Sequence, residues 1–137
     1  MTSSKATKRP PIHMIDTEAD TLTNLAISVE ERLPQVSALL MEEIGRANVH
    51  SAARMPRDVV TMRASVEFVD EASGAARTVQ LVYPGDADIS AGRVSILTPV
   101  GAGLIGLREG QSIQWPDREG HYRKLSIVKV TQAPQAA

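Results

Sequence analysis

The chain contains no cysteine. Disulfides, thiolate nucleophiles and cysteine-ligated zinc are thereby excluded, and the composition suits a reducing compartment such as the cytoplasm. Aromatic residues are scarce. Phe68, Tyr83, Trp115 and Tyr122 are the whole set in 137 residues, too few and too evenly spread for a platform on which bases could stack. No apolar run approaches the ~18 residues that cross a bilayer, and residues 1–13 lack the apolar stretch of a secretory leader. Basic excess is absent as well: fifteen Lys and Arg face sixteen Asp and Glu, so no global positive field gathers nucleic acid. There is no HExxH, no GxSxG elbow and no phosphate-binding glycine loop. His13, His50 and His121 lie far apart in sequence without metal-ligand spacing. The expectation is a protein with no catalytic residues, no metal site and no cofactor.

What remains is an ordinary globular composition, 42% hydrophobic and 23% charged, in a length that suits one or two small domains. Charge is distributed unevenly. Residues 1–15 carry +3, residues 16–50 carry −5, and the remainder carries +1. Residues 1–12, with Lys5, Lys8, Arg9 and the Pro10-Pro11 pair, read as a flexible tail, and 133–137 read as a second one.

Helical periodicity follows the first tail. Thr17 and Asp20 resemble a capping box, and Ala19, Leu22, Leu25, Ala26, Val29 and Leu33 recur at three- and four-residue steps. Pro34 interrupts this stripe and suits the first turn of a second helix, whose apolar face is Val36, Leu39, Leu40, Ile44 and Ala47. Residues 13–50 are therefore predicted to form a short antiparallel helical hairpin, or coiled coil, about 22 Å long. Its tip lies at Glu30, Glu31, Arg32 and Leu33. A carboxylate pair there could hold Mg²⁺, but adjacent helical residues point about 100° apart, and solvated surface acids are the better reading.

From residue 51 the period changes to two. Val60, Met62, Ala64, Val66 and Phe68 alternate with polar residues, which predicts one long half-buried strand. Asp70–Gly74 reads as a turn, Thr78–Tyr83 as a returning strand and Arg93–Leu97 as a third. Thr98-Pro99 has the form of an N-cap followed by proline, opening a short helix over Val100–Ile105. Gly101-Ala102-Gly103 within it suits close packing better than phosphate binding. Ser112–Trp115 and Tyr122–Val130 complete the strands, joined by a turn at Asp117–Gly120, with Trp115 a core or boundary anchor. The apolar phase slips between Ile127 and Val128, where a bulge is expected. The fold class is α+β, with the hairpin preceding an antiparallel sheet that carries one short helix.

The run from Asp86 to Gly106, centred on Ile89-Ser90-Ala91-Gly92 and Thr98-Pro99-Val100-Gly101-Ala102-Gly103-Leu104-Ile105-Gly106 and followed by Glu109-Gly110-Gln111, resembles the C-terminal domain of the GreA/GreB transcript-cleavage factors. Met55-Pro56-Arg57-Asp58-Val59-Val60-Thr61-Met62 and Leu81-Val82-Tyr83-Pro84 are similar to the branch known as regulators of nucleoside diphosphate kinase. The resemblance spans residues 16–132 and implies an FKBP-like fold for 51–132. It also implies an RNA polymerase-binding protein, docked on the largest subunits at the rim of the secondary channel with its hairpin directed toward that channel.

The polymerase contact would then map to Leu97, Thr98, Pro99 and Val100, with Leu97 standing where the family pattern has an acid. The cleavage factors place Mg²⁺ with an Asp-x-x-Glu tip on a long coiled coil. No such motif occurs around Glu30–Gln35, and the hairpin is about half the length required, so transcript cleavage is not expected. The reading is a monomeric, non-enzymatic transcription regulator that competes with Gre-type factors, touches neither nucleic acid nor membrane directly, and affects nucleoside diphosphate kinase indirectly. A prolyl isomerase and a simple oligomerisation module are the alternatives.

Overall fold

The computed structural model describes residues 11–116 and 122–133. The tail over 1–10, the turn at Asp117–Gly120, His121 and residues 134–137 lie outside the described residues, as does the side chain of Trp115.

The helical hairpin forms. Helix α1 runs Asp16–Ser28 and α2 runs Pro34–Arg46, with Pro34 in the first turn of α2. At 1.5 Å per residue, each spans about 20 Å. The expected cap at Thr17 is not used. The cap position falls two residues earlier, at Ile15, and the Asp16 carboxylate accepts the Thr17 N–H at 2.6 Å, which suits an acid in the first turn of a helix. Between the helices, the Ser37 hydroxyl is buried and donates to the Ala26 carbonyl at 2.8 Å, satisfying an acceptor near the end of α1.

Two short strands at the foot of the hairpin escape any reading of periodicity. β1 (His13–Ile15) and β2 (Asn48–His50) pair in parallel, with Met14 opposite Val49. The boundary of the first tail is corrected accordingly: Ile12 is fully buried, its carbonyl accepts the Asn48 N–H at 2.9 Å, and the next N–H, of His13, bonds Gly106 O at 3.0 Å.

The larger sheet has five strands in the order β5-β4-β3-β7-β6. They are β3 (Ser65–Asp70), β4 (Ala76–Val82), β5 (Arg93–Ser95), β6 (Ser112–Pro116) and β7 (Tyr122–Thr131). Its pairings are antiparallel except one. β5 runs parallel to β4, reached through residues 83–92, so the sheet is mixed rather than antiparallel throughout. The expected bulge is present: Glu67 pairs with Lys129 and Phe68 with Ile127, which leaves Val128 unpaired and half-exposed. One face of the sheet buries Val66, Phe68, Val79, Leu81, Leu125 and Ile127, as period-2 patterning requires.

The long strand expected from Val60 is shorter than predicted. Residues 60–64 form a loop buried except at Arg63, and Thr61, on the supposedly polar phase, is only 1% exposed. The chain turns at Arg63, which adopts φ +68°, and the pairing of Val60 goes to the segment after the third helix: its N–H bonds Leu107 O at 2.8 Å. A loop with four of its five residues buried mimics the apolar content of a strand without its geometry.

Helix α3 (Pro99–Leu104) sits between hairpin and sheet, packed against α2 and β5. Through it one hydrophobic cluster extends from Leu22, Ala26 and Leu40 of the hairpin to Leu104, Val66 and Ile127 of the sheet unit. The hairpin helices meet α3, β1 and β2 rather than lying across the large sheet. Among the described residues, no helix is long and apolar enough to cross a membrane.

Two glycines enforce these close approaches. A Cβ at Gly101 would lie 2.2 Å from Ser95 O, and one at Gly106, where φ is +86°, would lie 2.8 Å from the Ile12 Cβ. Gly45, within α2, has nothing within 4 Å of such an atom. Gly101→Ala and Gly106→Ala are expected to destabilise the protein by about 2–4 kcal/mol through overpacking, with backbone strain added at Gly106. Gly45→Ala is expected to stabilise it by about 0.5–1 kcal/mol. Urea denaturation midpoints at unchanged slope check all three.

Candidate docking surface

The segment Leu97–Val100 is held rigidly by its own polar groups. Ser95 O accepts both the Thr98 N–H at 3.1 Å and the Thr98 hydroxyl at 2.7 Å. Ser95 Oγ accepts the Leu97 N–H at 2.9 Å. Thr98 Oγ1 in turn accepts the Gly101 N–H at 3.1 Å, the N-cap bond that the Thr-Pro sequence led us to expect. Ile96 is fully buried and anchors the loop from below, with its N–H on Val82 O at 2.8 Å.

Above this anchor, Leu97 and Val100 are half-buried and pack on the main core, Thr98 is half-buried, and Pro99 is exposed. The result is a preformed apolar ridge with an exposed proline, at the start of the helix that packs on α2. An ordered loop of this kind would meet a partner without a large ordering cost.

The second predicted site is the hairpin tip. Val29–Leu33 closes the hairpin as a turn, with Val29 N–H on Ala26 O at 3.3 Å and Leu33 N–H on Val29 O at 2.7 Å. Val29 is buried and Leu33 half-buried, whereas Glu30, Glu31 and Arg32 are exposed. The two acids therefore sit in the turn, presented to solvent. Among the described residues, no three His, Asp or Glu side chains are grouped to hold a metal ion.

Two polar clusters at the neck of the hairpin are not legible in the sequence. In the first, Glu18 of α1 reaches the body of the protein, and its carboxylate accepts the Met62 N–H at 3.2 Å. Next to it, the Arg63 guanidinium lies 5.6 Å above the Tyr83 ring, within cation–π range. The left-handed turn at Arg63 places these groups side by side, a strained conformation for a residue with a side chain.

Burial raises the pKa of the Glu18 carboxyl above its ordinary value, opposed by the Met62 N–H and by Arg63. Burial also raises that of the Tyr83 hydroxyl, with Glu18 adding to the effect. In the second cluster, β1 and β2 bring together His13 and His50, 37 residues apart in the chain, with Nδ1 and Nε2 at 2.9 Å.

A raised carboxyl pKa means that the folded state disfavours the ionised form. Glu18 therefore costs stability at pH values above its raised pKa, and that cost fades as pH falls through the raised value and is gone below the ordinary 4.5. Glu18→Gln, which retains an oxygen for Met62, is expected to be more stable than the wild type at pH 7, with the gap closing at pH 4. Glu18→Ala leaves the Met62 N–H without its acceptor and is expected to lose about 1–2 kcal/mol. Chemical denaturation of both variants at the two pH values measures the difference.

Comparison with known proteins places this geometry. The family model described as "Transcription elongation factor, GreA/GreB, C-term" matches residues 55–132. The chain is 35% identical over 129 residues to the regulator of nucleoside diphosphate kinase of Escherichia coli (strain K12), covering 94% of this chain and 95% of that one. It is 38% identical over 96 residues to the transcription elongation factor GreA of Azorhizobium caulinodans, covering 70% of this chain and 60% of that one. Among solved structures, a GreA/GreB elongation factor from Nitrosomonas europaea superimposes with a TM-score of 0.74 at 36% identity, covering 90% of this chain and all of the other.

Proposed function

Because this chain belongs to the GreA/GreB transcription elongation factor family, we propose that it is a non-enzymatic transcription regulator that binds bacterial RNA polymerase at the entrance of the secondary channel. The observation that carries this reading is the pairing of a rigid ridge with an exposed proline at Leu97–Val100 with a short hairpin whose tip exposes Glu30, Glu31 and Arg32. The ridge docks on the rim formed by the largest subunits, and the hairpin points toward the opening.

Reach separates this mode of action from catalysis. Two helices of 13 residues extend about 20 Å, enough to occlude an entrance. The turn between them carries adjacent acids without the Asp-x-x-Glu spacing of a cleavage factor. The chain accordingly acts as a monomer in the cytoplasm, without a cofactor, by obstructing factors that enter the same channel. Its effect on nucleoside diphosphate kinase, the property named for its Escherichia coli relative, is indirect. The sheet unit has the FKBP-like form that the family resemblance implies and uses it as a platform rather than as an isomerase.

Leu97 sets the strength of docking. It packs against the core where the family pattern supplies a charge, so the ridge binds through apolar contact. Purified polymerase is expected to retain the protein in a pull-down, and an excess of the protein is expected to suppress Gre-stimulated cleavage without stimulating cleavage itself. Pro99→Ala is expected to weaken retention about tenfold, the scale of an interface anchor, and Leu97→Asp to weaken it as well by removing apolar contact. Absence of retention together with unaffected Gre-stimulated cleavage would overturn the proposal.

A further inference from the structure

The two histidines at the neck are arranged end to end. Their nitrogens are 2.9 Å apart and their ring centroids 5.1 Å apart, with the planes tilted by 33°. A separation that large relative to the nitrogen distance means that the rings point at each other rather than converging on a third point, as two metal ligands would. The contact is therefore an N–H···N hydrogen bond, which requires one ring to donate and the other to keep a bare nitrogen. With both rings protonated, two donors and two positive charges would face each other across that distance.

The position of this contact gives it leverage. His13 opens β1 and His50 closes β2, and these three-residue strands are the parallel clasp at the foot of the hairpin. Beyond the clasp, the chain enters α1 on one side and leaves α2 on the other. The charged groups facing His13 from the neighbouring segments are Asp58 and Arg108, which pair with each other at 3.0 Å.

We propose that the His13–His50 pair is a proton-operated clasp: with a single shared proton it holds β1 to β2 and fixes the foot of the hairpin, and a second proton opens it. Burial first, then His50 and then Arg108, hold the His13 pKa below its ordinary value of 6.5, with Asp58 opposing. The folded state thus resists the second proton, and by linkage the clasp is at full strength above about pH 6.5 and weakens as pH falls through the lowered value. The two ends of the hairpin are held together at neutral pH and loosened in acid. This device concerns the fold alone and stands whether or not the polymerase is the partner.

Backbone amide exchange of the full-length protein, corrected for intrinsic rates, tests it between pH 7.5 and pH 5, with ring ¹⁵N shifts reporting protonation. Protection of residues 13–15 and 48–50 is expected to fall about tenfold, the scale of one lost hydrogen bond, as the second proton binds. Protection across β3 and β7 is expected to stay constant. His50→Gln, whose amide can donate to His13 when neutral and accept from it when protonated, is expected to keep the clasp protected at both pH values. His50→Ala is expected to leave it unprotected at both. Unchanged protection with both rings protonated, failure of the pair to take a second proton by pH 5, or loss of protection in His50→Gln matching the wild type would overturn the proposal.

Discussion

The close seating of α3 against β5 is the contact on which the rest of the structure depends. The bare backbone at Gly101 allows it, because any side chain there would meet Ser95 O. Once seated, α3 does three things at once. It closes the apolar face of the sheet, it offers α2 a surface to pack on, and its N-terminal cap fixes the Leu97–Val100 ridge. Gly106, two residues past the helix, lets the chain turn under Ile12 so that the N-terminal segment is locked to the same foundation. Hairpin and sheet unit are therefore parts of one packed core rather than two modules on a linker, and the ridge and the hairpin keep a fixed relation to each other.

That fixed relation gives the proposed function its physical form. A binding protein that obstructs an opening needs an anchor and a projection, and the two must be mechanically coupled for binding at one to position the other. Here the coupling runs through apolar packing between α2 and α3, through the Glu18 carboxylate on the Met62 N–H, and through the His13 N–H on Gly106 O, while His13 and His50 join the two ends of the hairpin to each other. The polar links include titratable groups in partly buried surroundings. Packing thus fixes the geometry, and the neck adds a dependence on pH.

Features governed by local chemistry were legible in the sequence. Pro34 at the start of α2, the Thr98 cap and the phase slip at Val128 each follow from a preference that a few adjacent residues express by themselves. Features created by tertiary contact were not. β1 and β2 have three residues each, too short for any periodicity, and exist because Ile12 and Ile15 are buried on the base. The loop over 60–64 carries the apolar content of a strand because all of it but Arg63 is buried, and Arg63 turns left-handed within it for reasons no local pattern announces. The parallel placement of β5 depends on the route of residues 83–92. Both sites implied by the family resemblance, the ridge and the tip, are surface features at the ends of well-patterned elements. The neck clusters join residues dozens of positions apart and were invisible for that reason.

The central claim is that ridge and tip engage the same enzyme from one rigid body. Photo-crosslinking probes placed one at a time at Pro99 and at Glu31, with purified RNA polymerase, test it most directly. The account predicts that both positions label the largest subunits, Pro99 at the rim of the secondary channel and Glu31 deeper toward its opening. Labelling from neither position, or labelling from both at a surface remote from that channel, would contradict it.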